Sequence, residues 1–202
     1  MKIYLIRHGE TDWNVSRRFQ GCTDIPLNEK GRLLAQKTAE AMKDIPFDAA
    51  FSSPLSRAME TARIIIGDRP VKVIPEERLI ELSFGEYEGI SKEFEGYDEF
   101  LRMFFKEPEN YQTPKGGETL EHLCRRTTEY LYELASDERY QESTVLLATH
   151  GAALRGLLSS FQMNGDMRNF WGKSLHKNCA VTLMEARDGK IELLEEGKIY
   201  YE

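Results

Sequence analysis

Two apolar runs in this chain each deliver a histidine followed by a glycine. Ile3 to Ile6 leads into Arg7-His8-Gly9, and Val145 to Ala148 leads into Thr149-His150-Gly151. A third run ends in Ser52-Ser53-Pro54, with Arg57 close behind. One such histidine would read as a solvated strand end, but two in a chain with four histidines point to a site. Two imidazoles and two guanidiniums suit a phosphorus oxyanion. The planar guanidinium fork matches phosphate oxygens and stays charged at any working pH. A neutral imidazole can attack phosphorus when an acceptor holds its other ring nitrogen. Phosphoryl transfer then asks mainly for positioning and for stabilisation of the equatorial oxygens.

The departing alkoxide needs a proton, and "ERLIELSFGEYEG" offers Glu81, Glu86 and Glu88 in a glycine-punctuated loop. A carboxylate beside a phosphate dianion has its pKa raised and can serve as acid and then as base. Composition leaves all three open. His122 and His176 lack the strand-end punctuation and read as structural. Other phosphate chemistries fail on spacing. Asn28, Tyr130 and Glu185 stand six residues after the three cysteines, where a cysteine phosphatase needs arginine. There is no Asp-x-Asp pair and no GxxxxGK[ST] loop.

Strand-like and helix-like patterns alternate around these residues. Lys2 to Arg7, Asp48 to Ser52, "VKVIP" and "STVLLATHG" read as strands. Asn28 to Lys43 reads as a helix with Leu34, Ala41 and Ile45 on its inner face. "SPLSRAMETARIII" reads as a second helix with Pro54 in its first turn, and "AALRGLLSSF" as a third. Leu120, Leu123, Thr127, Leu131 and Leu134 mark an amphipathic helix over Glu118 to Ala135. The tail reads as two strands joined at Asp188-Gly189. The expected class is α/β: a doubly wound, mainly parallel sheet flanked by helices and finished by a C-terminal antiparallel hairpin. A parallel sheet would bring Arg7, His8, Arg57 and His150 to one rim. With no repeat or linker, residues 1–202 read as one domain.

Bulk properties narrow the partners. The 202 residues are 41% hydrophobic and 30% charged, the profile of an ordinary globular chain. A formal net charge of −7 argues against nucleic-acid binding, yet a few focused arginines can still hold a small anion. Three scattered cysteines make no disulfide or zinc framework. No stretch reaches membrane-spanning length, and the N-terminus lacks a signal-peptide pattern. The expectation is a cytoplasmic protein with no metal and no cofactor. It should bind a small-molecule phosphate ester, no nucleic acid and no membrane, and it could pair as a homodimer.

Taken in order, "LIRHGETDWN", "SSPLSRAMETA", "LIELSFGEYEG", "GGET" and "ATHGAALR" resemble the histidine phosphatase superfamily, phosphoglycerate-mutase-like branch. That branch includes broad-specificity phosphatases, α-ribazole phosphatases and phosphoglycerate mutases. The resemblance implies that His8 is the nucleophile and becomes phosphohistidine. It implies a phosphate pocket of Arg7, Arg57 and His150, with Asn14 donating to the same oxygens. Glu81 would be the proton donor, Gln20 and Gly21 would close over the phosphate, and Gly151 would let the backbone approach the ligand. The mutases carry a basic, proline-rich insertion after the acid. Here Ser91 to Pro114 is short and aromatic, with Phe94, Tyr97, Phe100, Phe104, Phe105 and Tyr111, and with Lys92, Arg102 and Lys106 as its cations. Residues 91–115 are therefore expected to form a helical pocket lid. The chain reads as a metal-independent phosphomonoester hydrolase with a large or apolar leaving group. Two other functions fit the same residues: a mutase-type phosphotransferase, and a non-catalytic phospho-ligand binding protein.

Overall fold

Apolar runs form the middle of a six-stranded sheet in the computed structural model, which describes residues 1–91, 93, 96–172 and 175–201. Strands β1 (Lys2–Arg7) and β4 (Thr144–Thr149) pair in parallel, in register from Lys2 with Thr144 to Arg7 with Thr149. Strand β2 (Ala49–Ser52) runs parallel to β4 on its other side, and β3 (Val73–Pro75) parallel to β2. Strand β5 (Val181–Arg187) lies antiparallel against β1, and β6 (Lys190–Lys198) antiparallel against β5. The order is β3-β2-β4-β1-β5-β6. Asp188 and Gly189 both have positive φ, as a two-residue hairpin turn between right-twisted strands requires. The mainly parallel sheet with its C-terminal hairpin is the architecture expected from the sequence.

Strand alternation divides the core between two faces. Ile3 and Leu5 of β1 join Val145 and Leu147 of β4 beneath α5 (Leu120–Ser136) and α6 (Gly151–Gln162). Ile6 joins Ala50, Leu146 and Ala148 beneath α2 (Glu29–Ala41) and α3 (Ser56–Ile66). Both faces are covered, which is why β4 carries an unbroken apolar run. A third, aromatic cluster gathers Phe19, Phe84 and Phe170 around Phe100 and Phe104 of α4 (Asp98–Lys106).

Local details differ from the expectation in four places. The buried stripe of α2 is Gly31, Ala35 and Thr38, continued by Met42, while Ala41 faces solvent. Pro54 precedes the N-cap of α3, Leu55, and so lies just outside the helix. The "VKVIP" strand is confined to its last three residues. Within 91–115 the regular structure is α4 and a short turn at Pro108–Asn110; Lys92 and Phe94 lie outside the described residues.

Candidate active site

Register places the site. Because Arg7 is level with Thr149, the next residues, His8 and His150, leave adjacent strands side by side. The His8 N–H donates to the Thr149 carbonyl at 2.9 Å, and the two rings lie 5.1 Å apart between centroids. Ser53 N–H donates to Ala148 O at 2.9 Å, which brings the start of α3 and Arg57 to the same rim.

His8 is buried, and its Nδ1 lies 2.6 Å from the Gly9 carbonyl. A carbonyl only accepts, so Nδ1 carries the proton and Nε2 keeps its lone pair. Burial first, then the Arg57 and Arg7 charges, hold its pKa well below the ordinary histidine value. The ring is therefore neutral, as a nucleophile must be. The acceptor is itself fixed. Gly9 N–H donates to Thr61 Oγ1 of α3 at 3.0 Å, and Gly9 crosses Gly31 so closely that a Cβ would lie 2.6 Å from the Gly31 carbonyl oxygen.

Arg7 donates through Nη1 to the His176 carbonyl, while its buried Nε has no partner. Arg57 is wholly buried and uses all three nitrogens: Nε to His150 Nδ1 at 3.1 Å, Nη1 to Thr23 O at 2.8 Å, and Nη2 to Gly21 O at 2.7 Å. Burial pulls both guanidinium pKa values down, but from so high a start that both stay charged. Asn14 accepts at Oδ1 from Thr11 N–H, in a capping box, which leaves its amide nitrogen as a donor.

His150 stands behind this layer. It is fully buried, accepts from Arg57 at Nδ1, and lies 2.7 Å from Ser53 Oγ through Nε2. Burial, then Arg57 and His8, keep it neutral. Both of its nitrogens have partners inside the protein, and it stands behind the side chains that line the cavity.

Glu81 separates cleanly from its two rivals. Helix α6 gets no side-chain cap from its N-cap residue, His150, so its first N–H groups need another acceptor. Glu81 supplies it, accepting from Ala153 N at 2.9 Å and Ala152 N at 3.2 Å, where the helix dipole also favours a carboxylate. Glu86 is exposed. Glu88 is occupied with Cys22, Thr23 and Phe84 backbone N–H groups, and it packs where a Cβ on Gly21, at φ +54°, would stand.

A cavity of about 60 Å³ opens among these groups. Arg7, His8, Asn14, Gln20, Gly21 and Arg57 line it, with Glu81 and Gly151. All eight are residues named above: Arg7, His8 and Arg57 from the strand ends, Glu81 as one of three open glutamates, and the other four from the family resemblance. Gln20 carries a buried Oε1 without a hydrogen-bond partner. At the mouth, Arg18, Phe84, Trp171 and Leu175, none of them expected from the sequence, line the cavity with Ala152, Phe104 and Phe105. Trp171 and Leu175 follow no local pattern, but Phe84 stands three residues after Glu81 and was within reach of the reading.

Comparison with known proteins agrees with this geometry. The family model for the histidine phosphatase superfamily (branch 1) matches residues 3–198. The chain is 36% identical to 2,3-bisphosphoglycerate-dependent phosphoglycerate mutase 2 of Gloeobacter violaceus, over 77% of this chain and 73% of that one. It is 32% identical to phosphoserine phosphatase 1 of Hydrogenobacter thermophilus, over 85% of this chain and 80% of the other. Among solved structures, Bacillus stearothermophilus YhfR superposes with a TM-score of 0.90 at 32% identity, covering 98% of this chain and 97% of that one.

Proposed function

Because the chain belongs to the histidine phosphatase superfamily, branch 1, we propose that it hydrolyses a small phosphomonoester through a phosphohistidine on His8, without a metal, in the cytoplasm. One observation carries the reading: a neutral His8 with its Nδ1 proton on Gly9 O borders a cavity that also holds Arg57 and the unpartnered Nε of Arg7. In the first step His8 Nε2 bonds to phosphorus as the ester oxygen leaves with a proton from Glu81. Arg7, Arg57 and the Asn14 amide meet the charge on the equatorial oxygens. In the second, Glu81 takes a proton from water, which attacks the phosphohistidine and frees phosphate. His150 acts from behind, orienting Arg57.

Hydrolysis is favoured over transfer by the mouth. Phe84, Phe104, Phe105 and Trp171 form an apolar wall, and α4 acts as the lid. Such a wall suits a large or apolar leaving group, and it leaves Arg18 as the cation of the mouth that would meet a carboxylate. Relatives of both kinds, mutase and phosphatase, give the second reading its weight. The partner is a small phosphate ester.

A panel of phosphoesters assayed for released phosphate in chelator tests the reading. Turnover with an acid-labile phosphoenzyme, both abolished in His8→Ala, is the expected result. Labelled phosphoenzyme surviving in His8→Ala removes His8 from its role. A bisphosphate requirement with no free phosphate makes the enzyme a mutase.

A further inference from the structure

The "GGET" run touches nothing in the cavity, yet it reaches Glu81 from behind. Glu118 and Arg126 form a two-pronged ion pair, Nε to Oε1 at 2.7 Å and Nη2 to Oε2 at 2.8 Å, each side chain only 12% exposed. Burial opposes ionisation of Glu118, but Arg126 and His122 outweigh it and hold the carboxyl below its usual range. The guanidinium then spans the 3-10 turn Glu77–Leu79 and the residues after it that carry the acid. Nη1 donates to the Arg78 carbonyl at 2.8 Å and Nη2 to the Glu81 carbonyl at 3.2 Å. Glu118 adds a main-chain bond, its N–H donating to Ser83 O at 2.9 Å.

We propose that the Glu118–Arg126 pair is a positioning element that sets where Glu81 presents its proton. Neither residue lines the cavity, so neither is a catalytic group. The inference rests on the reading of Glu81 as the acid. Glu81 is held at two ends: its carboxylate on the first turn of α6, and its carbonyl on Arg126 of α5, with the Cys22 thiol as a weaker donor at 3.5 Å. Releasing the carbonyl lets its peptide plane turn, and the carboxylate shifts relative to the ester oxygen. A misplacement of about 1 Å costs on the order of 10²-fold in a positioned proton transfer.

The step affected is specific. As the His8 nitrogen bonds to phosphorus and the ester P–O bond breaks, the proton passes from Glu81 to the departing oxygen. An alkoxide needs that proton, whereas p-nitrophenolate leaves without it. The ratio kcat/KM covers events only through phosphoenzyme formation, so the later role of Glu81 as base does not enter.

The test compares kcat/KM for glycerol 2-phosphate and p-nitrophenyl phosphate in wild type, Arg126→Met, Arg126→Lys and Glu118→Gln. Arg126→Met should lose about 10- to 100-fold on the alkyl ester, part of the ~10²–10⁴ that general acid catalysis supplies. The aryl ester should stay within about 2-fold, because that part is lost only where the acid acts. Arg126→Lys should recover part of the alkyl rate, since an ammonium can still reach one carbonyl. If Arg126→Met fails to fold by thermal melting, Glu118→Gln carries the same comparison with its shape preserved. Equal losses on both esters, or no loss on either, overturn the proposal. Failure of the underlying reading shows separately, as wild type releasing phosphate from neither ester.

Discussion

Acidification should destabilise this protein well above the range where carboxylates titrate. Three imidazoles are buried in neutral form: His8 and His150 at the site, and His176, whose carbonyl holds Arg7. Burial is the leading cause in each, and the His176 value is lowered to about 4. In the unfolded chain all three titrate near ~6.5. Below that pH the unfolded state takes up protons that the folded state refuses, so stability is fully present above ~6.5 and falls as pH drops. One proton of difference is worth about 1.4 kcal/mol per pH unit. At pH 5.5, about one unit below the unfolded value, a ring kept neutral by the fold costs up to about 1.4 kcal/mol and the three together up to about 4 kcal/mol. That is a large part of the ~5–15 kcal/mol typical of a domain. Paired carboxylates such as Glu76 and Glu118, whose pKa values are lowered, stay ionised across this window. Urea unfolding at pH 7.5 and 5.5 measures the difference. His176→Asn should flatten the slope by about a third, one ring of three. Equal stability at the two pH values, or an unchanged slope in His176→Asn, would refute the reasoning.

The other predictions concern single side chains. Arg57→Lys keeps a charge but cannot hold His150, Thr23 and Gly21 together; steady-state kinetics should show kcat/KM down by ~10²–10³. Gly9→Ala forces a methyl against the Gly31 carbonyl; chemical unfolding should register a loss of about 1–3 kcal/mol. Arg155, 1% exposed, donates to Phe170 O and pairs with Glu196 of β6. Arg155→Met removes the cation beside Glu196, which keeps the Gln162 amide as a donor at 2.7 Å, and should cost about 1.5–3 kcal/mol by the same measurement.

Much of the site was legible because strand ends carry it. An apolar run that stops at Arg7-His8-Gly9 announces its own edge, and parallel pairing then supplies the neighbours. On the inner face of α2, Leu34 and Ile45 pack against the core as expected and Ala41 does not; the buried Gly31, Ala35 and Thr38 were not legible because they are too small or too polar to show as an apolar stripe. They are buried for closeness of approach: Gly31 lets the backbone at Glu10 pass. His176 was read as structural, and its ring lies near Thr182 and Glu196. Its part in holding Arg7 runs through a carbonyl, and a main-chain acceptor has no residue identity to read. The strand end put His150 at this rim, but its partners, Ser53 and Arg57, are remote in sequence and were not legible there.

The crossing of Gly9 and Gly31 has a consequence for anyone altering this enzyme. Gly9 supplies the oxygen that decides which nitrogen of His8 bears hydrogen. Each glycine lies against main chain of the other's segment, so a methyl at one position gains no room from a change at the other. Libraries aimed at new selectivity should leave both glycines alone and diversify Phe84, Phe105 and Trp171, where shape can vary without disturbing the imidazole's electronic state.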